Sequence, residues 1–241
     1  MLTRFARAAC LALAFLAGPA VAGDLADFNA AVEQAQAHNR VAIGYLRTGN
    51  VDLASLELDR LRAAWGALQE HFIGKRPDAF DGVALYATLW TGVSTRLVAA
   101  DLMLKSGRPD AARQSLEAMR GDLYDLRKAA GIVVLADCVR DANSAMDALM
   151  VYDDRALDWT KPATRFGIAN KASIYGYVLD RCDGMAGEAV RQAPEFRRLV
   201  DGAKAGLALV PNAIATRDSD LLHRVLIELR SFDNLLAFRF G

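Results

Sequence analysis

The stretch YLRTGNVDLASLELDRLR, Tyr45 to Arg62, lies without gaps on MLKSGRPDAARQSLEAMR, Met103 to Arg120, at an offset of 58 residues. Gly49 falls on Gly107, Asp52 on Asp110, Ala54 on Ala112, Leu61 on Met119 and Arg62 on Arg120. A glycine takes the left-handed conformation that ends a helix, and Asn50 or the Pro109-Asp110 pair suits the start of the next. An alanine just past the turn lets two helices approach closely. Each copy therefore predicts an antiparallel helical hairpin, and a repeat of the pattern predicts two of them. A weaker echo, LLHRVLIELR from Leu221 to Arg230, sets Arg230 on the same register without the turn glycine.

Outward from these copies, apolar residues recur at three and four, the helix period, and nowhere in sustained alternation. Leu53, Leu56, Leu58, Leu61, Trp65, Leu68 and Phe72 form one such stripe. The expected fold is all-α, an up-and-down helical bundle or stacked antiparallel hairpins, with about seven or eight helices. They are placed at 25–48, 51–73, 82–106, 109–152 with a break near Gly131, 168–192, 195–217 and 219–239. Asp153 to Gly167 is expected as a connecting loop between an N-terminal part, 23–152, and a C-terminal part, 168–241, the two packed as one domain.

The turns also resemble those of tetratricopeptide repeats. A large residue stands four before the glycine, a small one five after and a large one nine after: Tyr45, Gly49, Ala54, Leu58 and Met103, Gly107, Ala112, Leu116. The likeness covers about twenty residues per copy and departs from the family in its period, 58 residues against 34.

The first residues carry Arg4 and Arg7, an apolar run from Ala8 to Ala17, then Gly18-Pro19 before Ala20-Val21-Ala22. That is the order of an export signal cleaved after Ala22, and it predicts a periplasmic or secreted product. No later run approaches the roughly 20 apolar residues of a membrane span. Cleavage leaves 27 basic against 29 acidic residues, a net charge of −2 that offers no electrostatic case for nucleic acid. It also leaves two cysteines, Cys138 and Cys182, for which a disulfide is the simplest expectation in an oxidising compartment. Free thiols, or a soft metal site with Met146, Met150 or Met185, are the alternatives.

No C-x-x-C-H, E-x-x-H, H-E-x-x-H, G-x-S-x-G or phosphate-cradling glycine loop occurs. His38, His71 and His223 are the histidines open to a haem-type role. The preferred reading is an exported, non-enzymatic helical module, requiring no cofactor or metal, that binds a protein partner or small ligand. A haem-type bundle and an enzyme without a local motif are its rivals. Candidate binding residues are Arg62 and Arg120, each just after a core position, and the basic, aromatic stretch of Trp159, Lys161, Arg165 and Tyr175. The apolar C-terminal end, Phe232 to Phe240, is expected to pack on its own bundle or on a partner chain.

Overall fold

The computed structural model describes residues 20–241, with side chains from Asp24. The expected export signal, 1–22, lies outside the described residues, apart from the backbone of 20–22. Helices α1 (Ala20–Arg47), α2 (Val51–Phe72), α3 (Ala84–Lys105) and α4 (Pro109–Ala129) form two hairpins, and a single 3-10 turn at Asp78–Phe80 precedes α3. They are followed by α5 (Leu135–Met150), α6 (Pro162–Met185), the short α7 (Glu188–Arg191), α8 (Pro194–Leu207), α9 (Val210–Thr216) and α10 (Ser219–Phe240). The protein is all-α, and among the described residues no helix is long and apolar enough to cross a membrane.

The duplicated turns close in the same way. Gly49 and Gly107 have φ of +77° and +71°. Asn50 N donates to Tyr45 O at 2.9 Å, and Arg108 N to Met103 O at 2.8 Å. These are Schellman closures, which satisfy helix-end carbonyls that would otherwise be orphaned. Gly131, φ +68°, repeats the closure through Ile132 N and Arg127 O at 2.8 Å and makes the expected break after α4. Ala54 and Ala112 are fully buried where the helices converge. Asn50 stands at the N-cap of α2, but its side chain makes no cap bond; its Nδ2 donates to Thr48 Oγ1 at 2.9 Å instead.

Packing sorts the helices into two four-membered groups. Within α1–α4 each helix packs on its sequence neighbour, and α4 closes back on α1. In the second group α5 packs on α6, α6 on α8, α8 on α10, and α10 closes on α5. The buried apolar side chains divide the same way: one cluster runs from Phe28 to Leu126, the other from Cys138 to Leu236. Aromatic rings fill the first, with Phe28 meeting Phe72, Phe80, Tyr86 and Trp90 at centroid distances of 5.1 to 6.4 Å. The C-terminal end packs inward, Phe240 edge-on to Phe196 at 5.0 Å.

Helix ends differ from the expectations at two prolines, each in the first turn of a helix. The irregular connection runs only to Lys161, because Pro162 begins α6 at a position whose N–H has no helical acceptor. The stretch expected as one helix over 195–217 is two, α8 and α9, with Pro211 in the first turn of the second.

Cys138 and Cys182 stand at disulfide distance, with Cα atoms 5.4 Å apart, and link α5 to α6 within the second bundle. Replacing both by alanine is expected to lower unfolding stability by about 2–4 kcal/mol, since the link closes a long loop in the unfolded chain. Urea melts of the variant and of the reduced wild type should then coincide. An unshifted midpoint would mean the thiols are not joined.

Candidate ligand cleft between the two bundles

Helices α4 and α10 carry the same burial register. Ala112, Leu116, Met119, Leu123 and Leu126 are buried on α4, and Leu222, Leu226, Leu229, Asp233 and Leu236 are buried at the matching places on α10. A residue one step past such a stripe turns by about 100° and lies on its flank. Arg120 and Arg230 both occupy that flank, and each belongs to the last helix of its bundle. The first helices, α1 and α5, complete the junction with Arg40, Ile43 and Arg47 on one side and Arg140, Asn143 and Asp147 on the other. Between them lies a cleft of about 420 Å³, also walled by Glu117, Asn234, Ala237 and Phe238.

Five arginines line this cleft against two carboxylates. Arg230 is held by Asp147 at 2.6 Å and by Asp233 at 3.3 Å. Arg47 reaches Glu117 at 3.1 Å, a carboxylate that also binds Arg113 at 3.0 Å. Arg40, buried, is held by Glu33 at 2.5 Å and donates to the Gly241 carbonyl at 3.1 Å. Arg140 stacks over the Tyr124 ring at 4.4 Å and, among the described residues, has only the Arg120 carbonyl, at 3.5 Å, as acceptor. Arg120, partly buried, has no side-chain acceptor or ion pair among the described residues. Burial, together with the positive charges of Arg40, Arg140 and Arg47, pushes the Arg120 guanidinium down to about 10, and Glu117 offsets this only in part. The cleft thus holds more positive charge than its own carboxylates neutralise, and an anion can supply the difference through paired N–H donors.

Behind the wall, Asp233 takes the place that Leu123 has on α4 and is fully buried. Burial raises its carboxyl to about 6; the bond from Asn143 Nδ2 at 2.5 Å and the Arg230 charge pull against that, and Asp147 pushes with it. Tyr175, also fully buried, has no partner for its hydroxyl among the described residues, and desolvation and the Asp233 charge hold its proton on. A carboxyl raised in the fold binds its proton more tightly there than in the unfolded chain. Its contribution to stability is present at acid pH and is lost as pH rises through about 6. Asp233→Asn keeps an acceptor for Asn143 without the charge. It is expected to gain about 1–3 kcal/mol near pH 8 and nothing near pH 4, read from urea melts across pH. A loss at pH 8 would mean the charge is needed where it stands.

The structure places the candidate residues in four neighbourhoods. Arg120 is in the cleft. Arg62 shares its register but sits on α2, half-exposed, beside Asp59 at 3.8 Å and Asp101 at 3.9 Å. Trp159 is buried and donates to Ser219 Oγ at 2.7 Å; Arg165 donates to the Trp159 carbonyl at 2.6 Å, and exposed Lys161 lies 3.3 Å from Asp158. Only the first of these bonds ties the connection to α10, the other two being local to the connection and the start of α6; Tyr175 is in the second core and Phe166 is 74% exposed. His38 and His223 are bound to Glu57 at 2.7 Å and Asp153 at 2.5 Å. Arg40, Arg47 and Arg140 are cleft residues that the sequence reading did not single out. Comparison with known proteins finds no matching family model, no matching curated protein and no matching solved structure for this chain.

Proposed function

We propose that the protein is an exported, non-enzymatic helical module that binds a small carboxylate- or phosphate-bearing molecule in the cleft between its two bundles. The observation that carries this reading is Arg120: a desolvated guanidinium that pairs with no side-chain carboxylate among the described residues, beside Arg140 from the other bundle. Like charges held together away from water are costly, and an anion between them removes the cost while making charge-assisted bonds. Export is supported by the order of residues 1–22 and by a cysteine pair at bonding distance. The two hairpins with the same turn closure support a duplicated unit, tetratricopeptide-like in its turn.

Thermal melts at constant ionic strength test the reading. Citrate or phosphate in place of chloride raises the melting temperature, and an anion at a hundred times its Kd contributes about 2.7 kcal/mol. Equal melting temperatures in chloride, phosphate and citrate would remove the proposal's basis.

A further inference from the structure

A second cavity, of about 280 Å³, opens at the same junction beyond the Arg127–Asp137 pair. Its apolar wall comes from four elements and the α5 N-cap: Val32 on α1, Val134 and Leu135 at the start of α5, Val190 on α7 and Phe240 on α10. It makes no demand for charge. Arg127 is neutralised by Asp137 through two bonds, at 2.7 and 2.5 Å, and Glu33 by Arg40 at 2.5 Å.

The polar feature of this wall is Gln36, only 6% exposed. Its Oε1 accepts from Asn39 Nδ2 at 3.1 Å, and the same Nδ2 donates to Leu116 O at 3.1 Å. Asn39 is therefore fixed with its nitrogen towards both acceptors, which fixes the Gln36 amide in turn. Gln36 Nε2 is left a buried donor without an acceptor among the described residues. Asn29, two helical turns earlier on the same face of α1, has its Oδ1 likewise without a donor. Buried donors and acceptors are nearly always satisfied, so an orphaned pair along an open apolar cavity marks where a guest's polar atoms belong.

We infer that this cavity is a second ligand site, taking a small uncharged molecule with an apolar body and a carbonyl-type acceptor that Gln36 Nε2 binds. The volume, just below the usual range of ligand pockets, restricts the guest to something smaller than a nucleotide. The site stands apart from the anion reading, because its charged neighbours are already paired.

The test is titration of the isotope-labelled protein with 2-heptanone, an apolar chain with one carbonyl, followed by NMR. Saturable shifts of the Gln36 side-chain amide and of the Val32 and Val190 methyl groups are expected. Gln36→Leu, which keeps the volume and removes the donor, weakens the ketone about tenfold. Val190→Trp, which fills the cavity from a short surface helix, abolishes the shifts at Gln36 and Val32 and leaves phosphate binding in the arginine cleft unchanged. Absence of saturable shifts at Val32 and Val190 in the wild type, or equal ketone binding by Val190→Trp, would overturn the inference.

Discussion

Asp137→Ala is expected to lower the unfolding free energy by about 3–5 kcal/mol, among the largest effects of a single substitution in this protein. Asp137 does two things at once. Its carboxylate takes two bonds from Arg127 across the turn that joins the bundles, and its Oδ2 also accepts Val134 N at 3.2 Å, capping α5. Both ionic partners are nearly inaccessible to water. Removing the acid alone strands a buried guanidinium and uncaps a helix, and each loss is costly on its own. Replacing the pair together, Arg127→Met with Asp137→Leu, removes the charge problem and is expected to recover most of the loss. Urea melts of the two variants decide the matter. A single variant within 1 kcal/mol of wild type, or a double variant no better than the single, would show that the pair is not what holds this junction.

Arg120→Gln is expected to lower affinity for citrate or phosphate about ten- to a hundredfold, the worth of a hydrogen bond to a charged group. The same substitution is expected to make the empty protein more stable. In the absence of ligand Arg120 is a desolvated charge facing Arg40, Arg140 and Arg47, and its depressed pKa records that the fold disfavours the charged form. Opposite signs for binding and stability are characteristic of a residue kept for a ligand, since sites that bind charge are held at a cost to the resting fold. Calorimetric titration and melts of one preparation give both numbers. Should stability fall while citrate affinity holds, Arg120 would be a structural residue and the cleft's positive charge incidental.

The turns were legible because glycine at 49, 107 and 131 answers a backbone need that few other residues meet, so the local sequence and the positive φ agree. Arg120 was legible through the repeat, but the repeat could not tell it from Arg62. Both follow the third buried apolar residue of their stripes, and only the position of α4 beside the second bundle turns one towards a cleft and leaves the other at an outer edge. Arg40 and Arg140 carried no signal. They sit exactly 100 residues apart on the first helices of the two bundles, yet around them α1 and α5 share little beyond the spacing of buried positions such as Ala42 and Ala142. Asp233 was hidden for the opposite reason: an acid in a leucine-like place reads as a surface residue until its neighbours are known. The stretch from Trp159 to Arg165 was conspicuous by composition, but Trp159 is spent on α10 through Ser219, and Arg165 on the Trp159 carbonyl.

The claim at the centre of this account is that an anion sits between Arg120 and Arg140. Citrate titrated into arginine-labelled protein, with the guanidinium Nε–Hε signals followed by NMR, tests it directly. Saturable shifts are expected for Arg120 and Arg140, smaller ones for Arg40 and Arg47, and none for Arg62. Uniform drift of all exposed arginines, or shifts confined to residues outside the cleft, would contradict it.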